Sequence, residues 1–301
     1  MNFILRPLYQ RPEMLYLSIR SEINARKDIN NENYHTLFLV EYGADPKCTN
    51  IIKDYPFNHT IIARNERMFP AGNILDGLKI AADTIIDDGM TKQEFAINIE
   101  EDCLLHDTFF SFIEKAVERL KGTPYSAITT WGKTNTGSPE ILSQGSYFCG
   151  PGTLINLDFF NRYVRPYAIK EYYYNFLVSI VPVNARNAEN PYSKYHATHN
   201  NLMMHLDWDG LTNRLLDAAL YEEGIYSYSA ECFRMLHIGF YGFNRRGGHF
   251  PEELKTFEDR VKFLEDSMLD SDKMAILDGS YKDYSTFSKL LDNWSGELEI
   301  V

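Results

Sequence analysis

Within the first 135 residues of this 301-residue chain, short apolar runs alternate with longer segments whose apolar residues recur at helical spacing. Phe3 to Leu5 reads as a strand, and Arg11-Pro12 opens a helix with Leu15, Ile19 and Ile23 on one face. Thr36 to Val40 is a second strand, ending in Glu41-Tyr42-Gly43, and a short helix around Cys48 to Lys53 follows. Strand Thr60 to Ala63 leads to a helix over Gly72 to Asp87. Phe95 to Ile99 is a fourth strand, followed by a helix from Asp107 to Leu120 with Asp107 as its N-cap, and Tyr125 to Thr130 is a fifth strand. Repeated strand–helix units of this kind predict an α/β fold with a mostly parallel sheet covered by helices.

The fourth strand ends in three consecutive acids, Glu100-Glu101-Asp102. Adjacent carboxylates repel one another and cannot all leave water without a compensating cation. They are therefore either a solvated turn or the surroundings of a hard divalent ion such as Mg2+ or Mn2+. Their place at the carboxyl end of a buried strand favours the ion, because open α/β sheets bind ligands there.

Charge narrows the partners. The net charge is −12, and residues 251–301 hold thirteen acids against six bases, more than half of the excess. A nearly neutral body with an acidic tail offers no electrostatic footprint for duplex nucleic acid or an anionic membrane. Cys48, Cys103, Cys149 and Cys232 are widely spaced and form no Cys-x-x-Cys pair, which fits a reducing compartment. No apolar window approaches a membrane span and Arg6, Pro7 and Arg11 interrupt the N-terminal apolar residues, so a cytoplasmic location is expected.

Beyond residue 135 the periodicity loosens. A helix is expected from near Asp158, a long polar loop over 185–204 and a helix over 210–222. Asp209, with Asp207 before it, lies where that last helix opens and suits either a helix cap or a general base. His237, followed by Ile238-Gly239, suits a ligand to metal or diphosphate, since glycine permits close backbone approach; a core histidine is the other reading, and His249 the other ligand. Arg234, Arg245 and Arg246 are suited to bidentate phosphate contact or to plain surface charge.

Four segments, in order, resemble the GT-A class of nucleotide-sugar glycosyltransferases, in particular the N-acetylglucosaminyltransferase I type and its bacterial and viral relatives. They are Arg6-Pro-Leu-Tyr-Gln-Arg-Pro12, Ile99-Glu-Glu-Asp-Cys-Leu-Leu-His-Asp-Thr-Phe-Phe110, His205-Leu-Asp-Trp-Asp-Gly-Leu211 and Ala230-Glu-Cys-Phe-Arg-Met-Leu-His-Ile-Gly-Phe-Tyr-Gly242. The resemblance implies a GT-A (Rossmann-like) domain over 1–250, with a nucleotide-sugar half (1–135), an acceptor and catalytic half (136–250) and an acidic helical extension (251–301). It implies a metal-dependent transfer of a hexosyl or pentosyl group from a nucleotide donor, UDP-linked, to a glycan, small-molecule or modified-base acceptor. Asp102 and His237 would hold Mn2+ or Mg2+. Arg6, Arg11, Glu41, Glu100, Glu101, Arg234 and Arg245 would bind the donor, with Glu101 on ribose or a metal-bound water and Glu100 further out. Asp209, or else Asp207, would be the base of an inverting transfer. One departure stands out: relatives place a base-reading acid after the second strand, where this chain has Tyr42, with Glu41 as a substitute.

Two other readings fit parts of the pattern. A nucleotidyltransferase of similar fold would carry a glycine-rich basic loop after the first strand, and residues 6–14 contain no glycine. A non-catalytic sugar-nucleotide-binding protein would keep the cleft without turnover.

Overall fold

The computed structural model describes residues 1–88, 94–130, 137–145, 151–165, 225–239, 250–268 and 291–301. Its strands are β1 (Asn2–Leu8), β2 (Tyr34–Val40), β3 (His59–Ala63), β4 (Phe95–Asn98), β5 (Cys103–Leu105), β6 (Tyr125–Thr129), β7 (Ile141–Gly145), β8 (Thr153–Asn156), β9 (Tyr226–Ala230), β10 (Met235–His237) and β11 (Glu299–Ile300). Nine of them form one sheet in the order β11-β7-β9-β6-β8-β4-β1-β2-β3, while β5 and β10 form a separate antiparallel ribbon. The pairs β1–β2, β2–β3, β1–β4, β6–β9 and β7–β11 are parallel; β8 runs against both β4 and β6, and β7 against β9. This mostly parallel mixed sheet, flanked by helices, is the α/β architecture expected.

Strand alternation explains why both faces are covered. Phe3, Leu5, Leu37, Leu39 and Ala96 point to one side, where helix α3 (Phe69–Asp88) lays Ile74, Leu75, Leu78 and Ala82 against them. Gly77 lets that helix approach closely, because a Cβ there would lie 2.6 Å from Leu39 Cδ1. On the other side Ile4, Phe95, Ile97, Ile128 and Leu154 meet Phe109, Phe110 and Ile113 of helix α4 (Phe109–Arg119). Each of these buried side chains contributes about 1.5–3 kcal/mol relative to exposure. Helix α4 begins one residue after Thr108, not at Asp107, so the acid expected as its cap lies outside it.

Helix α1 (Pro12–Ala25) and helix α2 (Pro46–Ile52) cover Phe38 and Val40 at the β2–β3 end. Both open on proline, whose fixed φ and missing N–H suit the first helical turn. Among its described residues, the tail expected to be a helical extension contains the helix Phe257–Met268, which packs Leu264 and Val261 beside Met14 and Leu17 of α1. It also contains β11, so the last residues join the edge of the main sheet beside β7. Trp294 and Leu298, packed into the second core cluster, anchor that end. Among the described residues, no helix is long and apolar enough to cross a membrane.

Beneath α1 sits a buried ionic cluster. Arg6 Nη2 lies 2.9 Å from Glu22 Oε2 and Arg26 Nη1 lies 3.1 Å from Glu22 Oε1. Tyr55 Oη also donates to Glu22, and Arg26 stacks 3.8 Å from the centre of the Phe57 ring. One carboxylate thus serves two fully buried guanidinium groups. Glu22→Ala should therefore lower unfolding stability by about 3–5 kcal/mol, the range for removing one partner of a buried ion pair; urea denaturation measures it, and a loss under 1 kcal/mol would contradict the role given to Glu22.

Candidate metal centre

Strand β4 runs between β1 and β8 and is buried along its whole length. Its continuation carries Glu100, Glu101 and Asp102 out of the sheet at the end where β1 and β2 also finish. Asp102 is fully buried there and Glu101 nearly so. Two cationic or polar elements converge on this turn. The first is the start of α1: Arg11 Nε donates to Glu101 Oε1 (2.6 Å), and Arg11 Nη1 donates to Asp102 Oδ2. Tyr9 N–H donates to the other Glu101 oxygen at 2.9 Å.

The second element is the β5–β10 ribbon. Its register pairs Met235 with Leu105, Leu236 with Leu104 and His237 with Cys103, and Ile238 N–H donates to Asp102 O at 2.8 Å. Leu104 and Leu236 face the core beneath the helix Phe257–Met268, while Leu105 and Met235 face the main core. A one-residue slip would exchange these faces, so apolar packing fixes the register. The outcome is that His237 Nε2 stands 2.9 Å from Asp102 Oδ2. Gly239 closes the far side: a Cβ there would lie 2.1 Å from Asp102 Oδ2 and 2.8 Å from His237 Cε1, so no other residue fits without displacement.

Among the described residues, Glu100, Asp102 and His237 offer ligand atoms that all lie within 4.8 Å of one another. Asp102 Oδ1 is buried and has no hydrogen-bond partner. An unsatisfied buried polar atom is destabilising by about 1–3 kcal/mol, and more when charged. Burial opposes ionisation of Asp102, but the Arg11 guanidinium and the His237 imidazole outweigh it and hold the carboxyl well below the usual carboxylate range. The carboxylate is therefore anionic at neutral pH, with one oxygen committed and one open. Together with the neighbouring Glu100 carboxylate and His237 imidazole, it makes a donor set that fits a divalent cation.

The structure treats the expected site residues differently. Asp102, His237, Arg11, Glu100 and Glu101 come together. Within the acid triplet, Glu100 offers a ligand atom beside those of Asp102 and His237, while Glu101 turns toward Arg11 and Tyr9. Glu41 lies at the end of β2, nearly buried, where its Oε1 accepts from Tyr42 N–H (2.8 Å) and Met68 N–H (2.9 Å), so that oxygen already serves the backbone.

Two arginines are corrected outright. Arg6 cannot bind a donor: it is fully buried, pairs with Glu22, and donates to Ser18 Oγ at 2.8 Å. Ser18 in turn donates to Cys103 O, so Arg6 braces the acid turn from behind. Arg234 is also fully buried, its guanidinium 4.5 Å from the ring centres of both Phe112 and Trp294 and hydrogen bonded to Thr108 Oγ1 and Pro139 O. Burial pulls its pKa down to about 9, still charged at neutral pH. It holds the C-terminal segment to α4. Asp207, Asp209 and Arg245 lie outside the described residues. The partnership of Arg11 with the acid turn was not foreseen; the only signal was an arginine directly before the proline that opens a helix.

No protein-family model matches the chain, and no curated protein matches it. Solved structures with a related arrangement include a mannosyltransferase from Pyrobaculum calidifontis in complex with GDP-Man and Mn2+, at 10% identity and a TM-score of 0.38 over 73% of this chain and 86% of that one. S. aureus TarS 1–349 in complex with UDP-GlcNAc aligns at 11% identity and a TM-score of 0.43, over 97% of this chain and 70% of that one. The same TarS fragment in a second structure gives 10% identity, a TM-score of 0.41, and 97% and 90% coverage. At such similarity, function has to be read from the chain's own residues.

Asp102→Asn should remove the anion that Arg11 and His237 face and lower unfolding stability by about 3 kcal/mol, as expected when a buried pair loses one partner. A thermal melt of the metal-free variant no lower than wild type would show that Arg11 does not neutralise the turn.

Proposed function

We propose that this chain is a metal-dependent glycosyltransferase of the GT-A type. It transfers a sugar from a nucleoside diphosphate donor, UDP-linked, to an acceptor hydroxyl. The observation that carries this reading is the clustering of ligand atoms of Glu100, Asp102 and His237 within 4.8 Å of one another at the carboxyl end of the central strands, with one buried Asp102 oxygen left without a hydrogen-bond partner. A hard cation held there supplies electrostatic stabilisation for the diphosphate leaving group as negative charge develops on it. The imidazole favours Mn2+ over Mg2+, because Mg2+ prefers an all-oxygen shell.

The chain's own residues do the rest. Asp102 and His237 hold the cation, with Glu100 beside them. Arg11, one side chain away, meets the diphosphate oxygens. Exposed Tyr42 and the nearby Tyr9, whose ring faces Arg67 at 5.5 Å, provide aromatic surface beside Glu41 for the nucleobase. The half of the chain before residue 135 binds donor, and residues 136–250 shape the acceptor side. Asp209 takes the acceptor proton from the face opposite the leaving group, which inverts the anomeric centre. Asp207 is the alternative base. The helix Phe257–Met268 and strand β11 brace the catalytic domain.

Incubation of the chain with a panel of nucleotide sugars and Mn2+ should release nucleoside diphosphate without pyrophosphate. Pyrophosphate release would indicate nucleotidyl transfer, and binding without hydrolysis a non-catalytic protein. Asp209→Asn should cut turnover by at least about a hundredfold, the scale of losing a general base, with donor affinity changed only a few-fold. Normal turnover with collapsed donor binding would make Asp209 a helix cap and pass the base to Asp207.

A further inference from the structure

We propose that Arg11 is the built-in counterion of the acid turn and limits how tightly that turn takes a divalent cation alone. The proposal rests on the metal-site reading above. Glu101 and Asp102 are nearly and fully buried, and neighbouring buried carboxylates need a positive charge close by in every state of the protein. Arg11 supplies it with one guanidinium, through Nε to Glu101 and Nη1 to Asp102.

Its placement is fixed by the backbone. Arg11 directly precedes Pro12, and its carbonyl accepts from Leu15 N–H at 2.9 Å, which seats it on the first turn of α1. Gly239 lies against Nη1, where a Cβ would approach to 3.0 Å, so the guanidinium is walled on that side. It keeps an outlet on the other, with the side chain 19% exposed. A cation on Asp102 Oδ1 would share a single carboxylate with this guanidinium on Oδ2. Two positive charges across one carboxylate repel, and the effective dielectric of a buried site screens them poorly.

The cation alone therefore binds weakly. An anion that arrives with it offers Arg11 new oxygens, relieves the repulsion and strengthens both associations, since coupling between two ligands is reciprocal. Arg11 keeps the turn folded without metal, meets the anion directly and makes metal and anion bind together.

Titration with Mn2+ alone, followed by the electron paramagnetic resonance of free Mn2+, tests this on wild type, Arg11→Met, Arg11→Gln and Arg11→Lys. Removing the charge should tighten Mn2+ binding by about tenfold or more, the scale set by losing one like charge at short range. Arg11→Lys, which keeps the charge, should stay near wild type. Metal-free Arg11→Met should melt below wild type, with the gap closing at saturating Mn2+. If Arg11→Met does not fold, Arg11→Gln, which retains N–H donors, decides. Equal or weaker Mn2+ binding by the neutral variants, with wild type binding, would overturn the role of Arg11 and leave the metal site standing. No Mn2+ binding by wild type or any variant would overturn the metal-site reading and the proposal with it.

Discussion

A fully buried carboxylate at the end of a central strand is the constraint on which the rest of this structure depends. Asp102 is anionic at neutral pH, and an isolated buried anion is not tolerated in a protein interior. The chain answers from two directions, far apart in sequence. The first helix brings Arg11, and the β5–β10 ribbon brings His237. Each of those elements is held by apolar packing that has nothing to do with charge: Leu15 and Ile19 on α1, Leu236 and Met235 on β10. Ordinary core burial thus positions the charged side chains, and the charges decide what the positioned site can bind.

A second ionic layer lies behind the first. Arg6, Glu22 and Arg26 are buried without net neutrality, two cations to one anion, with aromatic faces around Arg26. Such clusters contribute little net stability compared with apolar packing of the same volume. What this one does supply is a link: through Ser18 it reaches the carbonyl of Cys103, the residue after Asp102. The acid turn is therefore fixed on its backbone side by Arg6 and Ser18 and on its side-chain side by Arg11 and His237. Catalytic and metal sites depend on this kind of rigid outer support.

The first half of the fold was legible because its strands and helices are long enough to show their period. Leu15 and Ile19 on α1 and the alternation across Phe3, Ile4 and Leu5 lie where periodicity places them. The position of Asp102 and the approach of His237 with its adjacent Gly239 were legible too, since a strand end and a glycine carry local signals. What could not be read was non-local. Strands β5 and β10 are each three residues long and acquire their meaning only from one another. Arg6 and Arg234 looked like phosphate ligands because charge in a sequence carries no record of burial. Their partners, Glu22 for one and Phe112 with Trp294 for the other, are set by tertiary packing. The turn geometry, invisible in a run of three acids, aims Glu101 at Arg11 and Tyr9.

In the function proposed above, Asp102, Glu100 and His237 together hold a divalent cation. A crystal structure determined after soaking with MnCl2, with data collected at the manganese absorption edge, tests it most directly. One strong anomalous peak is expected within bonding distance of Asp102 Oδ1 and His237 Nε2, with Glu100 at or next to the shell. A peak elsewhere on the surface, or none at that carboxylate under saturating Mn2+, would contradict it.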